Sequence, residues 1–201
     1  IGYAALGGAI NGGEYNVAIG NYSMDALTSG DENAAVGYNA LYNSTATSNT
    51  AVGYQALKSN TCGHNNTASG YQALLNNTTA SDNTAFGNKP LASNTTGTFN
   101  TAQGSYSLCA STTGSWNTAA GQGALYTNTE GCCNTAVGKF ALFANITGKE
   151  NVAVGMHALG SALCNHNTAV ARQLVFSLRI NNDCGKRCFD NGWTRKCFPF
   201  S

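Results

Sequence analysis

The sequence predicts an all-β fold, a parallel β-solenoid (β-roll) of about eleven 17-residue coils followed by a short cysteine-containing C-terminal tail. The first observation is an Asn-x-Ala tripeptide that recurs ten times, almost always 17 residues apart. The second is a glycine that opens each unit, at successive spacings of 18, 17, 16 and then 17 six times. A period this short fits one coil of a β-solenoid better than a pair of helices. The insertions and deletions are single residues, so we expect the coils to stack in register.

The Asn-Thr-Ala-Val segment is predicted to form a strand in each coil. Successive side chains of a strand point to opposite faces, so Ala points to one face and its two neighbours to the other. Ala occupies this position in all ten segments, which indicates a narrow interior. A second apolar column, mostly Leu, is predicted to lie in a second short strand after the glycine. The predicted core comprises Ala51, Ala68, Ala85, Ala102, Leu57, Leu74 and Leu91.

The asparagine that begins each of these segments is predicted to stack as an amide ladder, in which each side chain bonds the one above it. The ladder comprises Asn49, Asn66, Asn83, Asn100, Asn117 and Asn134. Each coil is predicted to turn at two corners, the glycine corner at the glycine that opens the unit and the asparagine corner at the Asn-Thr-Thr-Gly segment. At the asparagine corner, Asn bonds its own backbone and Gly adopts the left-handed conformation. We therefore expect positive φ angles at glycines such as Gly63 and Gly97.

The residue before each unit-opening glycine is apolar in most coils. The stripe comprises Ile1, Ile19, Val36, Val52, Phe86, Ala120, Val137, Val154 and Val170, and only Ser69 and Gln103 interrupt it. These side chains are predicted to point away from the Ala interior, which favours a face for self-association. The alternative is a wider coil that buries both faces of the strand.

The repeats are predicted to form one domain, residues 1–171, and residues 172–201 a C-terminal cap or connector. The tail carries six basic and two acidic residues, a charge of +4, whereas the repeats carry four basic and seven acidic residues, a charge of −3. Opposite charges at the two ends favour head-to-tail attraction. A bare solenoid end exposes a strand edge that invites pairing. The tail is therefore expected either to cover that edge or to reach the next subunit.

Eight cysteines in a chain with only 9% charged residues favour an oxidising compartment. Two disulfides are predicted near the C-terminus among Cys164, Cys184, Cys188 and Cys197. The alternative is a zinc site, in which three of these thiols and His166 are the ligands. The other four cysteines have no predicted intrachain partner, which leaves free thiols or interchain bridges; they are Cys62, Cys109, Cys132 and Cys133.

Seven Asn-x-Ser/Thr sequons occur, and the candidate glycosylation sites are Asn77, Asn94 and Asn145. Chance accounts for most of the sequons in a chain this rich in Asn, Ser and Thr.

The composition argues against other classes of function. The sequence contains no basic patch with interleaved aromatic residues, which would indicate nucleic-acid binding. No apolar run reaches transmembrane length. No convergent set of acids, bases or nucleophiles indicates an enzyme or a cofactor site.

The segment Asn-Thr-Ala-Val-Gly-Tyr-Gln-Ala-Leu, from Asn49 to Leu57, resembles the repeats of trimeric autotransporter adhesin heads and of phage tail-fibre shafts. The resemblance covers residues 1 to about 171. It implies a left-handed parallel β-roll with three chains side by side, located outside the cell or on a cell or virion surface. It also implies attachment to a cell-surface or host ligand.

We therefore predict a non-enzymatic extracellular structural protein, the subunit of a fibre or filament that assembles head to tail, laterally as a trimer, or both. The alternative is an ice-binding solenoid. Six threonines in successive coils predict an outward ladder at a spacing of about 4.8 Å; they are Thr50, Thr67, Thr84, Thr101, Thr118 and Thr135. A second threonine column runs through Thr28, Thr45, Thr61, Thr78, Thr95, Thr112 and Thr129. The mixed residues beside the first ladder argue against the flat surface that ice requires.

Overall fold

A computed structural model describes residues 1–8, 11–160 and 165–170, together with the backbone of three further strands. Its strands are β1 (Val17–Ile19), β2 (Ala34–Val36), β3 (Thr50–Val52), β4 (Thr67–Ser69), β5 (Thr84–Phe86), β6 (Thr101–Gln103), β7 (Thr118–Ala120), β8 (Thr135–Val137), β9 (Val152–Val154), β10 (Asn167–Val170), β11 (Leu178–Arg179), β12 (Lys186–Asp190) and β13 (Arg195–Pro199). The described residues contain no helix, and none of their segments is a helix able to span a bilayer.

Strands β1 to β10 form one parallel sheet in sequence order, which makes the chain a β-solenoid. Each strand pairs with the next in strict register, so that Ala51 pairs with Ala68 and Ala68 with Ala85. Ten successive strands enclose nine turns, so the expected eleven coils were slightly too many. At about 4.8 Å per turn the sheet is about 43 Å long.

The short strands follow from the alternation of their side chains. In β3, Ala51 is fully buried while Thr50 and Val52 on either side are exposed. The same burial pattern recurs in the other repeats, with the central Ala always inside. The observed alternation rules out the wider coil that would bury both faces. All of the predicted core residues are fully buried, namely Ala51, Ala68, Ala85, Ala102, Leu57, Leu74 and Leu91.

The leucine column does not lie in a second strand, which corrects the sequence prediction. Leu57, Leu74 and Leu91 lie in turns, with φ of 50°, 51° and 49°. Left-handed φ is costly for a side chain with a Cβ atom, so burial and bonding must compensate. Leu57 is fully buried, and its amide donates to the carbonyl of Ala73 in the next coil at 3.0 Å. Each coil therefore contains one strand and a tightly wound turn segment.

Two kinds of glycine are required for different reasons, and the second kind differs from the prediction. Gly70, which opens a unit, has φ of +130°, and a Cβ there would lie 1.8 Å from the carbonyl oxygen of Gly87. Gly63 and Gly97 do not have positive φ. A Cβ at Gly63 would instead lie 2.1 Å from the carbonyl oxygen of Ala80. Close approach between coils, and not a left-handed conformation, therefore explains glycine at this corner.

The predicted asparagines form a continuous buried ladder. Asn66 Nδ2 donates to Asn49 Oδ1 at 3.2 Å, and the backbone amide of Asn66 donates to the same oxygen at 3.0 Å. Asn66 Nδ2 also donates to the carbonyl of Ala80 at 2.9 Å. The pattern extends the predicted set at both ends, so that the buried ladder comprises Asn33, Asn49, Asn66, Asn83, Asn100, Asn117, Asn134, Asn151 and Asn167. One amide per coil thus ties each coil to its neighbours.

A second amide ladder lies beside the first at the same corner, where the sequence indicated only a turn: Asn66 Nδ2 and Asn77 Nδ2 both donate to the carbonyl of Ala80 at 2.9 Å. Asn77 Nδ2 donates to Asn60 Oδ1 at 2.9 Å, and Asn94 Nδ2 donates to Asn77 Oδ1 at 2.9 Å. Asn145 Nδ2 likewise donates to Asn128 Oδ1 at 2.8 Å. Between these two stretches the column contains Ser111. Asn94 Oδ1 and Ser111 Oγ are buried without a hydrogen-bond partner, so the ladder is interrupted there.

The two ends of the parallel sheet differ. At the first strand, the amide of Gly20 donates to the carbonyl of Ile1 at 2.7 Å, so the start of the chain lies along β1. At the other end, β11 pairs antiparallel with β10, with Thr168 opposite Leu178. Strands β12 and β13 form a separate antiparallel sheet. Part of the tail therefore covers the outer edge of β10 within the same chain.

The narrow interior gives a direct mutational prediction. Ala102→Leu should lower the free energy of unfolding by about 1 to 3 kcal/mol, because three added carbons must fit beside fully buried neighbours. Gln103→Leu, on the exposed side of the same strand, should change it by less than about 0.5 kcal/mol. Chemical denaturation followed by circular dichroism measures both values. Equal losses in the two variants would contradict the assigned facing of β6.

Candidate functional site

The outer face of the parallel sheet is the most regular surface of the molecule. Each strand contributes two side chains to it, one on either side of the buried Ala. We call the first set the threonine column, which contains Thr50, Thr67, Thr84, Thr101, Thr118 and Thr135 in direct register. The second set is the apolar column, with members Ile19, Val36, Val52, Phe86, Ala120, Val137, Val154 and Val170. Ser69 and Gln103 interrupt the apolar column, as expected.

Most of the apolar column is exposed, and its members Ala120 and Val154 are half-buried. Ile19, Val36, Val52, Phe86 and Val137 have between 37% and 42% of their surface accessible. Neither column contains a charged side chain between β1 and β10. A partner that covers this face would therefore remove apolar surface from water without burying an ion, which is the favourable case for association.

The two threonine columns differ in their bonding. The hydroxyls of the threonine column make no hydrogen bond to another part of the described chain. The second column, at the asparagine corner, bonds to the adjacent coil: Thr61 Oγ1 donates to the carbonyl of Thr78 at 2.9 Å, and Thr95 Oγ1 to that of Thr112 at 3.0 Å. The hydroxyls of the second column therefore hold coils together, and those of the first remain available to solvent or a partner.

A stack of tyrosines that was not predicted from the sequence runs along the glycine corner. Tyr38 and Tyr54 have ring centroids 5.4 Å apart with an interplanar angle of 11°, and Tyr54 and Tyr71 are 5.3 Å apart at 7°. Tyr22 continues the stack with an edge contact to Tyr38 at 5.9 Å, and Tyr3 contacts Tyr22 at 5.4 Å. We call these five residues the tyrosine stack. The repeated Gly-Tyr dipeptide was the available signal for it.

Other aromatic residues cluster further along the rod. Tyr126 and Phe143 stack at 5.2 Å, and Phe140 contacts Phe143 edge-on at 5.3 Å. Phe99 and Trp116 stack at 5.9 Å on the residue column that precedes the ladder asparagines. Trp116 is 59% exposed. These rings shield one another between coils but leave part of their surface accessible.

The sequons predicted as glycosylation sites are buried, which corrects that prediction. Asn77, Asn94 and Asn145 have no accessible surface, and their Nδ2 atoms donate to the second amide ladder. A glycan on any of them would displace the ladder from the folded chain. The sequence signal was ambiguous because Asn-x-Thr describes both a sequon and this Asn-Thr-Thr-Gly corner. The adjacent sequon at Asn76 is exposed.

The cysteines fall into two groups. Cys62, Cys109, Cys132 and Cys133 are free thiols. Partial burial raises the pKa of the Cys109 thiol, and the charge of Lys89 opposes that shift. Of the four cysteines predicted to form disulfides, Cys164 and Cys184 lie outside the described residues. Cys188 and Cys197 are directly opposite each other in the backbone register of β12 and β13.

The predicted zinc alternative depends on residues outside the described part of the chain. His166, its proposed imidazole ligand, has Nδ1 only 2.9 Å from Glu150 Oε2. Among the described residues, no group of three or more His, Cys, Asp or Glu side chains is arranged to hold a metal ion. His64 Nδ1 lies 3.3 Å from the hydroxyl of Thr47 in the preceding coil. These two imidazoles therefore contact neighbouring coils.

Comparison with known proteins gives no match: no family model, no curated protein and no solved structure is similar to this chain at a significant level. The resemblance of the repeat to adhesin heads and tail-fibre shafts therefore stays a prediction from the motif.

Proposed function

We propose that this chain is a non-enzymatic structural protein, a stiff rod that associates side by side with identical chains as a subunit of an extracellular fibre. The observation that carries the proposal is the exposed, uncharged outer face of the sheet, where the apolar column and the threonine column run in register across the repeats. Monomeric proteins rarely expose one contiguous apolar strip without a partner for it.

The rigidity of the rod follows from its bonding. Parallel pairing and the amide ladder link every coil to the next, and the second threonine column adds a hydroxyl bond at most steps. At the glycine corner, backbone bonds such as that from the amide of Gln55 to the carbonyl of Tyr38 at 2.9 Å also join the coils. Coils joined at both corners and along the sheet cannot bend independently. A rod of this kind presents a straight strip to its neighbour, which allows contacts to repeat along its whole length.

The dimensions of the strip set the expected strength of association. Three residues at about 3.3 Å each give a width near 10 Å, and nine turns give about 43 Å, so one face covers about 430 Å². Two such faces bury about 860 Å² together, which is below the roughly 1,000 Å² of a stable interface and in the range of weak, transient association. Association of isolated subunits should therefore depend on concentration.

Side-by-side association has more support than head-to-tail assembly. Strand β11 occupies the outer edge of β10, so a second chain would have to displace β11 to continue the sheet there. The lateral face requires no such rearrangement. An extracellular location is consistent with the eight cysteines and the low content of charged residues, and attachment to a surface ligand stays a prediction from the resemblance.

The test places two charged substitutions on the face, one in β3 and one in β8. The double variant Val52→Lys and Val137→Lys should lose self-association, because both side chains lie in the exposed apolar column and the added ammonium groups would be desolvated in the interface. The matched control is Thr79→Lys with Thr113→Lys, which adds the same charge at exposed positions outside the strands. Sedimentation equilibrium over a concentration series measures the mass of each. Equal association of the two double variants would refute the proposed face.

Ice binding is the second candidate, and the free hydroxyls of the threonine column favour it. Six hydroxyls in register at about 4.8 Å spacing, none bonded within the described chain, could order water in a regular array. Thr84→Tyr with Thr101→Tyr should then abolish thermal hysteresis, and Thr79→Tyr with Thr113→Tyr, at exposed positions outside the strands, should preserve it. Wild-type protein that shows no thermal hysteresis at any concentration would eliminate this candidate.

A further inference from the structure

The tyrosine stack has a geometry that the proposed lateral association does not use. Tyr38, Tyr54 and Tyr71 are between 42% and 44% exposed, so soluble molecules reach their edges. The phenol hydroxyls make no hydrogen bond within the described chain. Successive rings come from successive coils, with centroids 5.3 to 5.4 Å apart in the parallel part of the stack. Phenol rings are thus held as near neighbours along four coil boundaries, from Tyr3 to Tyr71.

We propose that the tyrosine stack is a site of oxidative modification, at which a one-electron oxidant of the peroxidase and hydrogen peroxide class couples neighbouring rings into dityrosine. The product would link consecutive coils covalently along the glycine corner. The inference does not depend on lateral association, because both rings of each pair belong to the same chain.

The chemistry balances without any group from the protein beyond the two phenols. Each phenol loses one electron and one proton to give a phenoxyl radical. Two radicals then form a carbon–carbon bond between the ring positions next to the hydroxyls. The hydrogen on each of these carbons moves to the adjacent oxygen and restores aromaticity. In total two tyrosines lose two electrons and two protons, and hydrogen peroxide accepts them and becomes two molecules of water.

Close parallel stacking distinguishes the central rings of this stack from the described pair Tyr106 and Tyr126, whose centroids are 6.4 Å apart at an interplanar angle of 55°. A phenoxyl radical on Tyr54 has Tyr38 on one side and Tyr71 on the other, both already within contact distance. The coupling is therefore intramolecular, which favours it strongly over collision between chains. Bond formation requires the two rings to tilt toward each other about their own side-chain torsions, and their exposed edges leave room for that movement. Tyr15, in contrast, is 80% exposed and makes no ring contact with a described residue.

The sequence provides a simple readout for the central pair. Trypsin cleaves after Lys58, and the next cleavable lysine is Lys139, since Pro90 follows Lys89. Tyr54 therefore lies in the peptide 1–58 and Tyr71 in the peptide 59–139. A bond between them joins these two peptides with the loss of two hydrogen atoms, whereas a bond between Tyr38 and Tyr54 stays within the first peptide.

The experiment treats the full chain with hydrogen peroxide and a haem peroxidase, isolates the monomer by denaturing electrophoresis, and maps its tryptic peptides by mass spectrometry. We expect the joined peptide in the wild type and in Tyr15→Phe, and its loss in both Tyr54→Phe and Tyr71→Phe. Tyr71→Phe should keep the link within peptide 1–58. Circular dichroism verifies that each variant is folded.

Three outcomes would overturn the proposal. The first is a joined peptide at wild-type yield in Tyr54→Phe, which would place the bond at other tyrosines. The second is dityrosine found only in cross-linked multimers, which would show coupling between chains. The third is no dityrosine in the wild type under conditions in which the peroxidase couples free tyrosine.

Discussion

Asn83→Ala is expected to lower the free energy of unfolding by about 4 kcal/mol, the largest loss we predict for a single side chain. Asn83 Nδ2 donates to Asn66 Oδ1, to the carbonyl of Ser81 at 3.1 Å and to that of Gly97 at 2.9 Å. Asn83 Oδ1 accepts the backbone amide of Asn100 at 2.9 Å. Alanine removes all four bonds and leaves the buried Asn100 amide without its acceptor, which alone costs about 1 to 3 kcal/mol.

The matched control for this variant is Asn76→Ala. Asn76 is exposed and its side chain makes no hydrogen bond within the described chain, so the change should stay within about 0.5 kcal/mol. Urea denaturation followed by far-ultraviolet circular dichroism compares the two variants with the wild type. Similar losses at both positions would mean that the ladder contributes no more than an ordinary surface amide.

Ser111→Asn is expected to raise the free energy of unfolding by about 2 kcal/mol, because it completes the second amide ladder. Asn94 Oδ1 lacks a donor, and Asn128 Nδ2 donates only to the carbonyl of Gly131 at 3.0 Å. An asparagine at position 111 would donate to the first and accept from the second, as Asn77 does between Asn60 and Asn94. Each restored bond contributes about 1 kcal/mol.

Ser111→Ala separates the ladder effect from the simple removal of a buried hydroxyl. It also eliminates the unpartnered Ser111 Oγ but leaves Asn94 Oδ1 without a donor. Its unfolding midpoint in urea should therefore lie well below that of Ser111→Asn. If the alanine variant were as stable as the asparagine variant, the gain would have to come from the removed hydroxyl and not from the ladder.

The fold class could be predicted from the sequence because the Ala, Asn and Gly columns all recur with the same period of about 17 residues. The Ala column requires a side chain small enough for the interior, and the Asn column bonds its own copies in adjacent coils, so neither tolerates variation. The place of Ala51 and Asn49 in the repeat therefore predicted their structural roles directly. The predicted number of turns was slightly too high, because a count of repeat starts includes the partial repeats at both ends.

Three features could not be predicted from residue type. Leucine normally avoids left-handed φ, so nothing about Leu57 indicated a turn; the conformation is stabilised by its burial and its bond to the next coil. Glycine at position 63 suggested positive φ, whereas the real constraint is the carbonyl of Ala80 in the next coil. Asn77 and Asn94 matched a sequon, and only the stacking of coils shows them to be buried.

The candidate surface was partly predictable. The outward direction of Val36 and Val52 followed from strand alternation around the Ala column, and the structure shows both exposed. The repeated Gly-Tyr dipeptide could have predicted the column of Tyr38, Tyr54 and Tyr71, but not the contact of Tyr22, which stands one residue later in its coil and still meets Tyr38. That contact depends on side-chain directions that a repeat alignment does not give.

Small-angle X-ray scattering over a concentration series tests the central claim, side-by-side association of rods, most directly. We predict that the particle mass rises above 20.7 kDa with concentration. The cross-section should grow with the mass, while the particle stays about as long as one subunit, with a sheet of about 43 Å. A length that increases in proportion to mass would show end-to-end assembly instead. A mass that stays at that of one chain throughout would contradict self-association altogether.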